Sequence, residues 1–166
     1  MTLEAAASEI SSDRTAPMVI REMTHDECRA LLTRASVGRL ACSQDSQPYI
    51  IPVYLAYEPD FIYVFSTFGQ KIKWMRLNPK VCVQIDEISD ASNWSSVVAY
   101  GHYQELREPQ YAEECNHARQ LLEKRHAWWL NALAERQLKL RGQLITPLYF
   151  RIHVDSVTGL NSASQS

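Results

Sequence analysis

The chain has 166 residues, of which 46% are hydrophobic and 22% are charged, and its formal net charge at pH 7 is −2. This length fits one domain with its own core, and the composition is typical of a folded globular protein rather than a disordered one. A slightly acidic chain lacks the overall positive field that attracts nucleic acid, so we expect no nucleic-acid partner.

The ends of the chain differ in composition from its middle. Residues 1–17 are rich in Ala, Ser and Thr and show no sustained periodicity, so we interpret them as a mobile arm. We expect the domain to occupy 18–160 and a short tail to follow at 161–166. No signal-peptide pattern is present, and no apolar run reaches the roughly 20 residues of a membrane span. The expected location is therefore cytoplasmic, without a membrane partner.

A helix and three strands are predicted at the start of the domain. Thr24 and Glu27 have the spacing of a capping box, and the apolar residues after them share one helix face as far as about Arg34. Three runs rich in β-branched and aromatic residues follow, separated by the turn-forming DSQ and EPD. These strands are VGRLACSQ, PYIIPVYLAY and FIYVFST.

A short helix and two further strands come next. The segment GQKIKWMRLNP is opened by Gly69, closed by Pro79 and made of good helix formers. KVCVQIDEI then alternates apolar and polar residues, and WSSVVAYGHYQEL reads as another long strand. Gly101 inside that strand predicts a bulge or the close approach of another backbone.

The last part of the domain combines helices with a closing strand. Helical spacing runs through EPQYAEECNHARQLLEKRH, with Pro109 suited to the first helical position, and a second helix is predicted at about 128–140. PLYFRIHVDSVTGL alternates as a final strand. About six strands with helices inserted between them predict an α+β domain built on an antiparallel barrel with peripheral helices.

The segment 62–79 carries the strongest chemical signal. A strand ends in two hydroxyl residues, Ser66 and Thr67, Gly69 follows, and Lys71 stands at the start of a helix. Hydroxyl donors, helix N-terminal amides and an ammonium at one point suit a phosphate dianion. In the alternative interpretation, Thr67 caps an ordinary helix and the lysines are solvated. Three further cations follow without an intervening acid: Lys73, Arg76 and Lys80.

Other sites are less favoured by the sequence. The five histidines form no tight ligand pair, so no metal site is expected. Ser95 and Ser96 lack the GxSxG context of a hydrolase nucleophile. The cysteines are far apart and lie in apolar patterns, which predicts buried free thiols. They are Cys28, Cys42, Cys82 and Cys115.

Five segments in fixed order carry a resemblance to a known family. They are GRLAC, PYIIPVYLAY, IYVFSTFGQKIKWMRLNPKVCVQID, WSSVVAYGHYQEL and YFRIHVDSVTG, spread over roughly residues 20–160. Together they resemble the FMN-binding split barrels related to pyridoxamine 5′-phosphate oxidase, particularly the nitroimidazole-resistance-like branch. The resemblance implies a single-domain, Greek-key-like split β-barrel that forms a homodimer with FMN bound across the interface.

The same resemblance implies a set of flavin contacts. The ring would lie against PYIIPVY, the phosphate would be held where the third strand meets the following helix, and WSSV would come from the opposite subunit. The implied cofactor-binding residues are Ile51, Pro52, Val53, Phe65, Ser66, Thr67, Gln70, Lys71, Trp94 and Ser95.

The implied activity is that of an FMN-dependent oxidoreductase, which passes hydride or electrons from a reduced nicotinamide or similar donor to a small-molecule substrate. Gln70 stands where many relatives carry Arg, and the C-terminal SVTGLNSASQS has no basic substrate-binding motif. Activity on pyridoxamine phosphate is therefore not expected. Two alternatives stay open, namely a deazaflavin-dependent reductase of the same fold and a module that holds flavin or haem without turnover.

Overall fold

A computed structural model describes residues 18–125 and 147–164 of the chain. This part contains seven strands and three helices. The strands are β1 (Met18–Glu22), β2 (Val37–Gln44), β3 (Gln47–Glu58), β4 (Phe61–Thr67), β5 (Lys80–Asp90), β6 (Asn93–Glu105) and β7 (Pro147–Ser164). The helices are α1 (His25–Arg34), α2 (Gln70–Leu77) and α3 (Ala112–Glu123).

The strands form one antiparallel sheet that closes on itself. Its order is β1-β7-β4-β3-β2-β5-β6, and a further pairing between β7 and β6 joins the ends into a six-stranded barrel. The 18-residue β7 makes this possible, because successive parts of it pair with β4, β6 and β1. The predicted α+β antiparallel barrel is confirmed.

Alternating side chains of the barrel strands fill its interior. Leu40, Val83 and Ile152 have no exposed surface, and they belong to one continuous apolar cluster. Helix α1 adds its buried face to this cluster, and the Thr24–Glu27 capping box predicted for it is present. The six residues with the deepest burial in the helices are Cys28, Leu31, Leu32, Ile72, Met75 and Ala118.

Two boundaries differ from the sequence-based expectations at the ends of the domain. Strand β1 was not predicted, because all five of its side chains are exposed and show no alternation. Residues 161–164, expected to be part of the tail, extend β7 instead and pair with Met18–Arg21. The mobile arm predicted at 1–17 and the helix predicted at about 128–140 lie outside the described residues.

The start of α3 also differs from the expectation. Pro109 does not occupy the first helical position, because the chain makes a turn there in which the amide of Tyr111 donates to the carbonyl of Arg107. The helix begins at Ala112, with Tyr111 as its N-cap.

The four cysteines are free thiols, as predicted, and all but Cys82 are buried. Burial raises the thiol pKa of each of them.

Candidate functional site

The barrel opens between β3 and β4. These two strands are paired from the hairpin turn as far as Leu55 and Val64. Within the described structure the pairing stops there, before the last residues of β4. There, Ile51–Val53 pairs only with β2, and Phe65–Thr67 pairs only with β7. We call the opening bounded by these two segments the seam. It brings six of the predicted flavin contacts to one place.

The two sides of the seam carry different side chains: the β3 side is apolar, and the β4 side has an aromatic residue followed by two hydroxyl residues. Val53 is buried in the core, Ile51 packs against the core and Pro52 is exposed, so β3 offers backbone groups and an apolar surface. On the β4 side, Phe65 contacts Tyr149 edge-on, with ring centroids 5.2 Å apart.

Ser66 and Thr67 end β4 beside the seam. Ser66 is only 7% exposed, and its hydroxyl donates to the carbonyl oxygen of Thr67 over 3.1 Å. Thr67 is half-buried. In this arrangement the Ser66 hydroxyl supports the local turn, and it would have to rotate to reach a ligand.

Helix α2 begins at the seam without a side-chain cap. Its N-cap is Gly69, which has extended backbone angles and makes no side-chain cap hydrogen bond. The first turn contains no acidic residue, and a Cβ added at Gly69 would meet nothing within 4 Å. The alternative in which Thr67 caps the helix is therefore wrong. The open space around Gly69 therefore lies at the amide end of α2, where an anion can be bound.

Lys71 and Gln70 are the two predicted contacts on α2 itself. Gln70 is exposed and Lys71 is half-buried. Lys71 lies near enough to β2 for its positive charge to oppose the effect of burial on the pKa of the Cys42 thiol, although burial dominates and raises that pKa.

Trp94 and Ser95 do not join this group within one chain. Trp94 pairs with Ser162 at one end of β7, whereas Ser66 pairs with Leu148 near the other end. The fourteen residue steps from Leu148 to Ser162 correspond to about 46 Å of extended strand. The two sets of predicted flavin contacts thus lie at opposite ends of the longest strand.

One aromatic residue beside the seam was missed by the sequence analysis. Phe68, which links β4 to α2, is 48% exposed, and both Lys73 and Arg76 lie over its ring. The available signal was an aromatic residue directly after the hydroxyl pair, with cations five and eight positions later. Arg76, one of the three cations that follow in the sequence without an intervening acid, donates two hydrogen bonds to Glu105.

The described residues contain neither a metal-binding cluster nor a membrane-spanning helix. Within 18–125 and 147–164, no group of three or more His, Cys, Asp or Glu side chains is arranged to hold a metal ion. None of the helices in these ranges is both long and apolar enough to cross a membrane.

A closed six-stranded barrel with one seam, and an uncapped helix starting at that seam, defines a split-barrel protein. Residues 24–161 match the family model described as pyridoxamine 5′-phosphate oxidase. The chain belongs to this family, as the resemblance of its sequence segments predicted.

Similar proteins cover nearly the whole domain. An uncharacterized protein of Rhizobium meliloti is 40% identical over 144 residues, which is 86% of this chain and 95% of the relative. The crystal structure of an FAD-binding protein from Mesorhizobium loti is 37% identical, with a TM-score of 0.72, covering 89% of this chain and 99% of that one. A candidate 5-nitroimidazole antibiotic resistance protein from Bacteroides thetaiotaomicron shares the fold, with a TM-score of 0.63 at 17% identity and coverage of 90% and 93%.

Proposed function

We propose that this protein is a flavoprotein that holds the FMN moiety of its cofactor at the seam and acts as an oxidoreductase on a small-molecule substrate. The observation that carries the proposal is the uncapped start of α2 beside the opening between β3 and β4. Membership of the pyridoxamine 5′-phosphate oxidase family supports it, as does the 37% identical relative described as FAD-binding, since FAD contains FMN.

The phosphate would bind at the start of α2. The helix has no side-chain cap there, and the absence of a Cβ at Gly69 leaves room for phosphate oxygens. Lys71 would add a charge-assisted contact, and Thr67 a hydroxyl donor. Gln70, where many relatives carry Arg, supplies no charge, so the ammonium of Lys71 would carry most of the electrostatic attraction.

The flavin ring would lie along β3. Ile51 and Pro52 present apolar side chains, and Val53, whose side chain is in the core, contributes strand backbone, which together suit a flat ring with a polar edge. No side chain of this group titrates near neutral pH. The flavin would therefore supply the hydride or electron transfer, and the protein would supply orientation and exclusion of water.

We further propose that the active form is a homodimer. Trp94 and Ser95, which belong to β6, pair with the end of β7 that is far from the seam. They would therefore reach a flavin only in a second subunit. Two identical chains related by a two-fold axis would each give Trp94 to the partner's seam, and the dimer would contain two equivalent sites.

The purified protein tests the flavin proposal directly. We expect an absorption band of oxidised flavin, release of the flavin on denaturation, and oxidation of a reduced nicotinamide when a quinone or nitroaromatic acceptor is present. A colourless protein that neither FMN nor FAD reconstitutes would overturn the proposal. A deazaflavin spectrum would identify the alternative cofactor, and a bound flavin without turnover would identify a binding module.

A mixed dimer tests the shared site. Lys71→Ala and Trp94→Ala each damage both sites of a homodimer. In a heterodimer of the two variants, a shared site leaves one of the two sites with both residues intact, so about half of the flavin binding should return. No recovery in the heterodimer would show that both contacts come from the same chain.

A further inference from the structure

Phe68 stands out among the residues around the seam. It follows Thr67 and precedes Gly69, so its backbone adjoins the proposed phosphate site. The residue is 48% exposed. Lys73 Nζ lies 5.6 Å from the ring centroid, and the guanidinium carbon of Arg76 lies 5.1 Å from it. We call these three residues the Phe68 cluster.

The two cations of the Phe68 cluster differ in how they are compensated. Arg76 donates to both carboxylate oxygens of Glu105, at 2.8 and 2.9 Å. Lys73, by contrast, has no carboxylate partner among residues 18–125 and 147–164, and its ammonium lies over the ring. The cluster therefore combines an accessible aromatic side chain with one positive charge that no carboxylate of the described ranges compensates. Such a combination suits the binding of a nucleotide.

The position of the cluster relates it to the flavin site. Lys73 lies one helical turn beyond the first residue of α2, about 4.5 Å further along the helix axis. A second phosphate joined to the first would thus lie between the amides at the start of α2 and the ammonium of Lys73. A flat base following that phosphate would then meet the exposed ring of Phe68.

We infer that the Phe68 cluster is the subsite for the adenylyl half of FAD, in which Lys73 contacts the second phosphate and Phe68 stacks on the adenine. This inference rests on the proposed function, because it uses the phosphate position at the start of α2. It makes the dinucleotide, rather than FMN, the preferred flavin of this protein.

Titration of the flavin-free protein with FAD, FMN and riboflavin tests the inference. Phe68→Ala and Lys73→Ala should each weaken FAD binding by about 5- to 100-fold, the range expected for loss of a stacked base or of a charged phosphate contact. FMN affinity should change by less than about twofold in both variants, since FMN does not reach the cluster. Phe68→Tyr should keep the affinity for FAD.

The control is Leu77→Ala, which truncates a side chain on the same helix that is 71% exposed and lies outside the cluster. It should leave both flavins unaffected. Equal losses of FAD and FMN in Phe68→Ala and Lys73→Ala, or no loss of FAD, would overturn the inference while leaving flavin binding intact. A wild-type protein that binds neither flavin would instead overturn the proposed function.

Discussion

Gly101 and His153 are in direct backbone contact across the barrel closure. A Cβ added at Gly101 would lie 2.1 Å from the carbonyl oxygen of His153, far inside van der Waals distance. The contact lies where β6 and β7 shift register, between Tyr100 and Gly101. Because the β6–β7 pairing closes the sheet into a barrel, closure requires the absence of a side chain at position 101.

Gly101→Ala should therefore destabilise the protein strongly. The added methyl group meets backbone rather than a flexible side chain, so β6 and β7 must separate locally, and we expect a loss of about 3 kcal/mol or more in the free energy of unfolding. Chemical denaturation of both proteins measures it. Unchanged stability would show that the bulge adapts without cost.

Gly69→Ala makes the opposite prediction for stability. Open space surrounds the new Cβ and the backbone at Gly69 is extended, so the free energy of unfolding should change by less than about 0.5 kcal/mol. The methyl group would, however, occupy the space assigned to the phosphate. FMN and FAD should bind more weakly and riboflavin should not, as titration of the flavin-free variant will show. Unchanged FMN affinity would place the phosphate elsewhere.

A salt bridge between α2 and β6 predicts a dependence of stability on pH. Arg76 holds the pKa of Glu105 down at about 2, compared with an ordinary value of 4.5. Because the pKa is depressed in the folded state, the stabilisation is complete above about pH 4.5 and is lost as the pH falls toward 2. The shift alone corresponds to about 3 kcal/mol, but Arg76 is 38% exposed, so solvent screening reduces the contribution to about 1 kcal/mol.

Glu105→Gln tests this dependence. At pH 7 the variant should be less stable than the wild type by about 1 kcal/mol, and the difference should shrink as the pH is lowered from 4.5 to about 2. Urea denaturation at several pH values and constant ionic strength measures it. A difference that stays constant with pH would show that Glu105 stabilises the protein through something other than its charge.

The barrel strands were predictable because each has one buried face. In β5, for example, Val81, Val83 and Ile85 are buried and alternate with more exposed residues, so the pattern in the sequence records the fold. Strand β1 has no such face. Met18 and Ile20 are exposed because β1 pairs only with β7, and nothing in the sequence distinguishes it from the arm before it.

The candidate site was predictable only where its residues are close in sequence. Ser66 and Lys71 come from one strand-to-helix segment, so local structure alone places both of them near the start of α2. Whether Ile51 lies next to this segment depends on where the pairing of β3 with β4 stops. The alternation of apolar residues within each strand does not indicate that position. Likewise, the separation of Trp94 from the seam depends on the length and register of β7, whose continuation past residue 160 was not predicted.

Lys71→Ala tests whether the ammonium of Lys71 binds the flavin phosphate. Loss of a charge-assisted contact should weaken FMN binding by about 1.5 to 3 kcal/mol, or roughly 10- to 150-fold, whereas riboflavin, which lacks the phosphate, should bind almost as before. Thr67→Val should weaken FMN less, because a neutral hydroxyl contributes less than an ammonium. Titration of flavin-free protein with both ligands measures these differences.

A comparison of Lys71→Ala with Lys71→Met separates the two roles open to this residue. Lys71 is half-buried, so its stem also contributes packing, and Lys71→Met keeps most of that packing while removing the charge. Both variants should lose FMN affinity to a similar extent if the charge matters. Equal loss of FMN and riboflavin, or recovery of FMN binding in Lys71→Met, would mean that Lys71 acts by holding α2 in place rather than by binding phosphate.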